Sequence, residues 1–190
     1  MTLLSDYDIL DEMRSGSIII DPYSEHQLQP ASYDVRLDDT LLIPNPELDV
    51  NTGIDIGHVD TSTYFKKIKL YDREHPHDFW LPPGGVALGC TQELLTLSPT
   101  APLAADIAGC SSLGRWWLQV HMTAGFVDPG WMGKLTLELY NASPWWLRLW
   151  AGQRIAQIRF YETRNRPTRS YLDTGHYAGA TTVLPSEYHG

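Results

Sequence analysis

The chain predicts a mainly β fold, a β-barrel or jelly-roll sandwich with a short N-terminal helix. Three observations carry this reading. Short runs rich in β-branched and aromatic residues recur along most of the length, Pro, Gly, Asn and Asp turns separate them, and only one stretch has helical patterning. The 190 residues, 43% of them apolar, suffice for a single domain, 1–190, with its own core.

Leu3 to Arg14 reads as the helix: Ser5 is placed to cap it with Asp8 three residues on, acidic residues gather near its start, and Gly16 ends it. Strands are expected at Ser17 to Ile20, Tyr33 to Leu37, Gly85 to Leu88, Leu94 to Leu97, Trp116 to Val120, Lys134 to Tyr140, Trp146 to Trp150 and Arg154 to Tyr161. Residues 45–77 lack clear periodicity and read as a long excursion or lid. Residues 164–190 form a polar, Gly-containing tail whose composition alone predicts fraying. The tryptophans cluster as Trp116-Trp117, Trp131 and Trp145-Trp146-Trp150. Adjacent strand positions face opposite sides, so one of each pair needs burial on the far face, which an oligomer provides.

A net charge of -9 works against attraction to nucleic-acid backbones or anionic membranes. Neither is expected as a partner, and phosphate chemistry must rest on a local basic cluster, which suits a small nucleotide. No N-terminal stretch joins basic residues to a long apolar run, and no window approaches the length of a membrane span, so the chain reads as cytoplasmic. Cys90 and Cys110 stand isolated, which suggests neither a disulfide framework nor a zinc site, and the His-x-Glu and Pro-Cys-x-x-Cys elements of zinc-dependent nucleobase deaminases are absent. Asp72, Glu74, His75, His77 and Asp78 read as a solvated loop rather than a metal site, because nothing apolar orients them. No protein-held metal is expected.

Polar and ionisable groups concentrate in three short segments between apolar runs: Gly109-Cys110-Ser111-Ser112-Leu113-Gly114-Arg115, His121-Met122-Thr123-Ala124-Gly125-Phe126-Val127-Asp128-Pro129-Gly130-Trp131, and Leu137-Glu138. A Ser-Ser pair and an Arg on one turn suit a phosphate or an anionic intermediate. A lone Glu in an apolar strand is costly to bury unless paired or used. Strand alternation puts Thr136 and Glu138 on the face opposite the neighbouring leucines. Taken alone, Glu138 is better read as a solvent-facing strand residue, and Ser-Ser-Leu-Gly is a common turn.

These segments resemble the dCTP deaminase branch of the dUTPase superfamily, whose pattern reads G-[RK]-S-S-L-[GA]-R, H-x-T-A-x-x-[IV]-D-P-G-[WF] and L-E. Gln29 to Leu37, Leu81 to Thr91 and Ala151 to Gln157 resemble further motifs of the same branch, so the likeness runs from about residue 3 to about residue 162. It implies a dUTPase-like distorted β-barrel or jelly-roll. It also implies zinc-independent deamination of a deoxycytidine nucleotide, dCTP or dCMP, in a homotrimer with sites between subunits and Mg2+ held by the nucleotide phosphates. Glu138 then matches the proton-shuttling glutamate. Ser111 matches the serine that holds water or base, and Arg115 the arginine that lies beside the glutamate. Thr123, Ala124, Val127 and Asp128 match the segment that positions base and water, and Ser112, Tyr171 and His176 fall at phosphate-binding positions. Gly125-Phe126 matches the subgroup that also hydrolyses the product to dUMP. Asp128 aligns with an Asp that activates water near the α-phosphate, and equally suits a cap for the Asp-Pro-Gly turn. The competing readings are a dUTP diphosphatase without deamination and a non-catalytic nucleotide sensor.

The phosphate end departs from the pattern. Cys110 replaces the basic residue before Ser-Ser, and His176 and Ala180 replace the basic and Gln positions of a [KR]-Y-x-x-Q tail motif. Weak discrimination in favour of a triphosphate is therefore expected, unless Arg164, Arg166 or Arg169 compensates.

Overall fold

The computed structural model describes residues 1–49, 51, 53–57, 61–75 and 79–188. The helix spans Asp6–Ser15, with Ser5 accepting from the Asp8 N–H and the Asp8 carboxylate accepting from the Ser5 N–H in a reciprocal capping box. Gly16 follows at φ 79°, the left-handed turn that ends the helix and that a side chain would strain. Ile9, on the buried side, joins the core.

Two six-stranded sheets enclose that core. The first runs in the order Phe126–Val127, Leu103–Gly109, Arg154–Glu162, Ser32–Arg36, Leu28–Gln29, with Thr2–Leu3 also pairing Arg154–Glu162. The second runs Leu118–Gln119, Met132–Asn141, Val86–Leu97, Thr40–Pro44, Phe65–Lys69, with Ile18–Asp21 also pairing Val86–Leu97. All of these strand pairs are antiparallel, and a separate small sheet joins Phe79–Leu81 to Leu147–Leu149. Tyr33, Val35, Ile158 and Phe160 of the first sheet and Leu95, Leu97, Leu137 and Leu139 of the second belong to one buried cluster. The jelly-roll form of the expected fold is thus an open sandwich rather than a closed barrel. Each such side chain contributes roughly 1.5–3 kcal/mol by leaving water.

A buried charge also ties the sheets. Glu93, on Val86–Leu97, is 1% exposed; it accepts from the Arg36 backbone N–H at 2.8 Å, from Arg36 Nε at 2.7 Å and from Gln27 Nε2 at 2.9 Å. Its partners lie on or beside Ser32–Arg36 in the opposite sheet, so the carboxylate is satisfied across the sandwich.

The helix and most strands lie where expected, and the runs at 85–88 and 94–97 are two ends of one strand, Val86–Leu97. Leu103–Gly109, a central strand, is not evident from the sequence because its Ala-rich stretch has a single β-branched residue, Ile107, and no aromatic one. The excursion at 45–77 contains a helical turn, Thr61–Tyr64, and an edge strand, Phe65–Lys69. Trp116 and Trp117 are not in a strand. They follow the single helical turn Ser111–Gly114, Trp117 takes a left-handed φ of 58°, and only Leu118–Gln119 extends. Both rings are exposed and pack near Trp145, at centroid distances of 5.9 and 6.0 Å, instead of being split across a sheet.

Removing Glu93 leaves the Arg36 guanidinium half-buried and unpaired. Glu93→Ala is expected to lower unfolding free energy by about 3–5 kcal/mol, read from the midpoint shift in chemical denaturation; a shift below 1 kcal/mol would mean the pair does not tie the sheets.

Candidate active site

Glu138 sits in Met132–Asn141, where Leu135, Leu137 and Leu139 face the core and Lys134, Thr136 and Glu138 alternate to the other side. Its backbone N–H donates to Val120 O at 3.1 Å. Its Oε2 accepts from the backbone N–H of Met122 at 2.6 Å and of Thr123 at 3.4 Å, while Oε1 takes no hydrogen bond among the described residues. One carboxylate oxygen is therefore fixed by the His121–Thr123 backbone and the other is open to chemistry. Glu138 borders a cavity of about 430 Å³ together with Thr136, Ala124, Val127, Asp128 and Tyr171.

The loop that reaches Glu138 is held by Ile107 N–H donating to Gly125 O at 2.7 Å. A Cβ at Gly125 would come within 3.1 Å of both the His121 ring and the Ile107 carbonyl, so the backbone here is closely packed. Val127 is buried and pairs with Ala105, which anchors the segment beside the exposed Asp128. The Asp128-Pro129-Gly130 turn is closed by the Asp128 backbone carbonyl, which accepts from the Trp131 N–H at 3.1 Å. The Asp128 carboxylate makes no hydrogen bond among the described residues, so capping does not occupy it. It borders both the main cavity and a tail-side hollow of about 370 Å³ that also holds Arg169, Tyr171 and His176.

Ser111 and Ser112 lie elsewhere. They are exposed on the Ser111–Gly114 turn and border a hollow of about 460 Å³ with Cys110, Arg154, Gln157 and Arg159. Burial pushes the Cys110 thiol up from its usual range, so this position brings no charge of either sign. Arg115 is exposed at the end of the turn, and among the described residues no ion pair joins it to Glu138. Within one chain the expected site is therefore split. Ala124, Val127, Asp128, Tyr171 and Glu138 gather at the main cavity, with Thr123 joined to Glu138 through its backbone N–H; Ser111 and Ser112 line another hollow, Arg115 borders neither and His176 lies on the tail side.

A family model described as dCTP deaminase-like matches residues 3–163. The chain belongs to the dCTP deaminase-like family. It is 38% identical over 188 residues to a protein of Bifidobacterium longum named "dCTP deaminase, dUMP-forming", covering 97% of this chain and 93% of that one. A protein of the same name from Methanopyrus kandleri is 35% identical over 199 residues, covering 100% of this chain and 97% of the other. Among solved structures, a 2'-deoxycytidine 5'-triphosphate deaminase from Agrobacterium tumefaciens superposes with a TM-score of 0.61 at 23% identity. The match spans 84% of this chain and 46% of that one, and shows a shared fold.

In this dCTP deaminase-like chain the tail is packed, not frayed. Tyr171 stacks obliquely on Trp131 at 5.1 Å, Lys134 N–H donates to Ala180 O and Gly179 N–H to Met132 O, each at 2.7 Å, and Leu184, Pro185 and Ser186 border the main cavity. Lys134, which sequence reading passed over, also borders the cavity and pairs through Nζ with Asp38 at 2.6 Å. Its place on the alternating face shared with Thr136 and Glu138 was the available signal. The metal-poor reading of residues 72–78 falls partly on His77 and Asp78, outside the described residues; no group of three or more metal-ligating side chains occurs among those described. Among the described residues no helix is long and apolar enough to cross a membrane.

The tail rests on Gly133, which has φ 141°; a Cβ there would come within 2.9–3.0 Å of the Ala180 backbone. Gly133→Ala therefore costs about 1–3 kcal/mol in strain while the tail is docked. Trypsin cleavage after Arg164 or Arg169 is expected to speed up about tenfold; unchanged cleavage with an intact fold would show that the tail does not depend on this contact.

Proposed function

We propose that the protein converts dCTP to dUMP by zinc-independent deamination followed by hydrolysis of the phosphoanhydride bond between the α and β phosphates. The observation that carries the reading is Glu138, which borders the cavity that Ala124 and Asp128 share and whose Oε2 is anchored by two backbone N–H groups while Oε1 has no hydrogen bond among the described residues. Family membership and the named relatives support the substrate class.

In the first step Glu138 takes a proton from water as its oxygen attacks C4 of cytosine, and the proton passes to N3. A second proton, from the resulting C4 hydroxyl, goes through the same carboxylate to the exocyclic nitrogen. The C4–N bond breaks, releasing ammonia and leaving the uracil carbonyl. Thr123 and Ala124 position the base and water, and the Ser111 hydroxyl holds the water or base. In the second step Asp128 takes a proton from a water attacking the α-phosphorus, and pyrophosphate leaves. Its unspent carboxylate favours this role over capping. Ser112, Tyr171 and His176 serve the phosphate end. Magnesium fits as a phosphate-borne ion, since Asp34 and Asp106 near the serine-side hollow are already engaged by Arg154 and Arg159. Bound in that way it supplies neutralisation of the outer phosphates.

Arg115 is to orient a carboxylate with which it forms no ion pair in its own chain among the described residues, so the working site joins the Glu138 cavity of one subunit to the Ser111–Arg115 turn of another. A homotrimer of whole-chain, single-domain subunits satisfies this, with the exposed Trp116, Trp117 and Trp145 near the contact and the 164–190 tail closing the cavity. The negative net charge and a nucleotide substrate support a cytoplasmic location.

Glu138→Gln keeps the shape but cannot shuttle protons, and is expected to lower ammonia release about 10²–10⁴-fold with nucleotide binding retained. Near-native turnover would remove Glu138 from the mechanism. Arg115→Lys is expected to lose at least about tenfold, because a point charge on a flexible stem does not hold a carboxylate in one plane.

Co-refolding equal amounts of Glu138→Gln and Arg115→Ala chains tests the shared site. With head-to-tail contacts in a ring, about a quarter of sites regain both residues, and ammonia release should recover to about a quarter of wild type. No recovery in mixed trimers, or a fully active monomer in light scattering, would overturn the shared site.

A further inference from the structure

Cys110 stands where relatives of the same pattern carry a basic residue, yet the hollow it borders contains two guanidinium groups. Arg154 and Arg159 come from the strand Arg154–Glu162 and line the same hollow as Ser111 and Ser112. Arg159 donates from Nε to Asp106 Oδ1 at 2.9 Å and from Nη2 to Asp106 Oδ2 at 2.7 Å. This bidentate contact fixes the plane of the guanidinium and uses two of its five N–H donors, leaving three. Arg154 donates from Nη1 to Asp34 at 2.9 Å. Their side chains are 43% and 57% exposed, so the remaining donors are open to a ligand. Between them, Gln157 is held by Ser32 and by the Gly109 carbonyl, which keeps this wall of the hollow rigid. Arg169 borders the separate tail-side hollow with His176 and does not reach this one.

Resting on the proposed deamination of a deoxycytidine nucleotide, we infer that Arg159, aided by Arg154, replaces the missing basic residue at position 110 and binds the outer phosphates, so that the enzyme selects the triphosphate over dCMP. The chemistry is that of a forked donor meeting phosphate oxygens in pairs. Asp106 acts as the residue that positions the fork, and Arg159 determines specificity. The weak triphosphate discrimination expected from Cys110, His176 and Ala180 is thereby reversed, with the compensating charge on a core strand instead of at 164–169.

The test measures kcat/KM for dCTP and dCMP in the full-length enzyme, and equilibrium binding of inorganic tripolyphosphate by calorimetry. Wild type is expected to prefer dCTP. In Arg159→Gln the dCTP to dCMP ratio should fall about ten- to a hundredfold, the loss of one charge-assisted contact, and tripolyphosphate affinity should fall in parallel. Arg159→Lys should recover only part of either. Asp106→Asn with Arg159→Gln, which leaves no unpaired carboxylate, should show the same loss while circular dichroism reports a native fold. A wild type that prefers dCMP, an unchanged ratio in both Arg159 variants, or a loss seen instead in Arg169→Gln overturns the inference. If wild type releases no ammonia from either nucleotide the proposed function fails, and the tripolyphosphate measurement still decides whether Arg159 binds a polyphosphate.

Discussion

The sandwich depends on a carboxylate with almost no access to water. Glu93 is taken out of solvent between the sheets, and this is tolerable because Arg36 meets it with both a backbone and a side-chain donor while Gln27 supplies a third. The Gln27 amide also donates to the Asp34 carbonyl, so the segment 27–36 is fixed by one network. Further along, Gln29 donates to Asp34 and Ser32 to Gln157. The motif that resembles the family near its N-terminus is thus largely a set of polar clamps. They hold Ser32–Arg36 against Arg154–Glu162, and with it the wall that presents Arg154, Gln157 and Arg159.

A second constraint is the two-residue period of Met132–Asn141. Its register against Val86–Leu97 sets Glu138 opposite Leu88, with a shift between Lys134 and Thr136. Three leucines then enter the core from one face while Lys134, Thr136 and Glu138 leave by the other. The far end is pinned by Asn141, fully buried, whose Nδ2 has the carbonyls of Leu81, Pro82 and Trp145 within hydrogen-bond distance for its two N–H donors and whose Oδ1 accepts from Ser143. The energy of burial and the placement of the carboxylate are thereby the same structural fact. A slip of one residue would bury Glu138 and expose the leucines.

Charge is handled locally. The chain carries -9 overall, yet its serine-side hollow presents guanidinium groups held by fixed carboxylates, and the main cavity keeps two carboxylates and Lys134 among apolar walls. Such pairing orients donors without creating a field that would attract long polyanions. The tail adds a further layer, laid across Gly133 where no side chain interferes.

The sequence by itself determined the helix with its reciprocal cap, the alternating face of Glu138, most strands and the family resemblance, because each is written in local period or contiguous motif. The strand Leu103–Gly109 was illegible, since its place between two partners, and not its Ala-rich composition, makes it extended. The Trp116-Trp117 pair was misplaced because the helical turn before it and the left-handed Trp117 break the strand that its aromatic residues suggest. Motif order groups Ser111, Arg115 and Glu138, but only the tertiary structure decided that within one chain Ser111 and Glu138 border different hollows, that no ion pair joins Arg115 to Glu138 among the described residues, and that Arg159 lines the hollow of the serine turn. Contacts between residues far apart in sequence are fixed by sheet order and register, and these follow from packing the whole chain around one core.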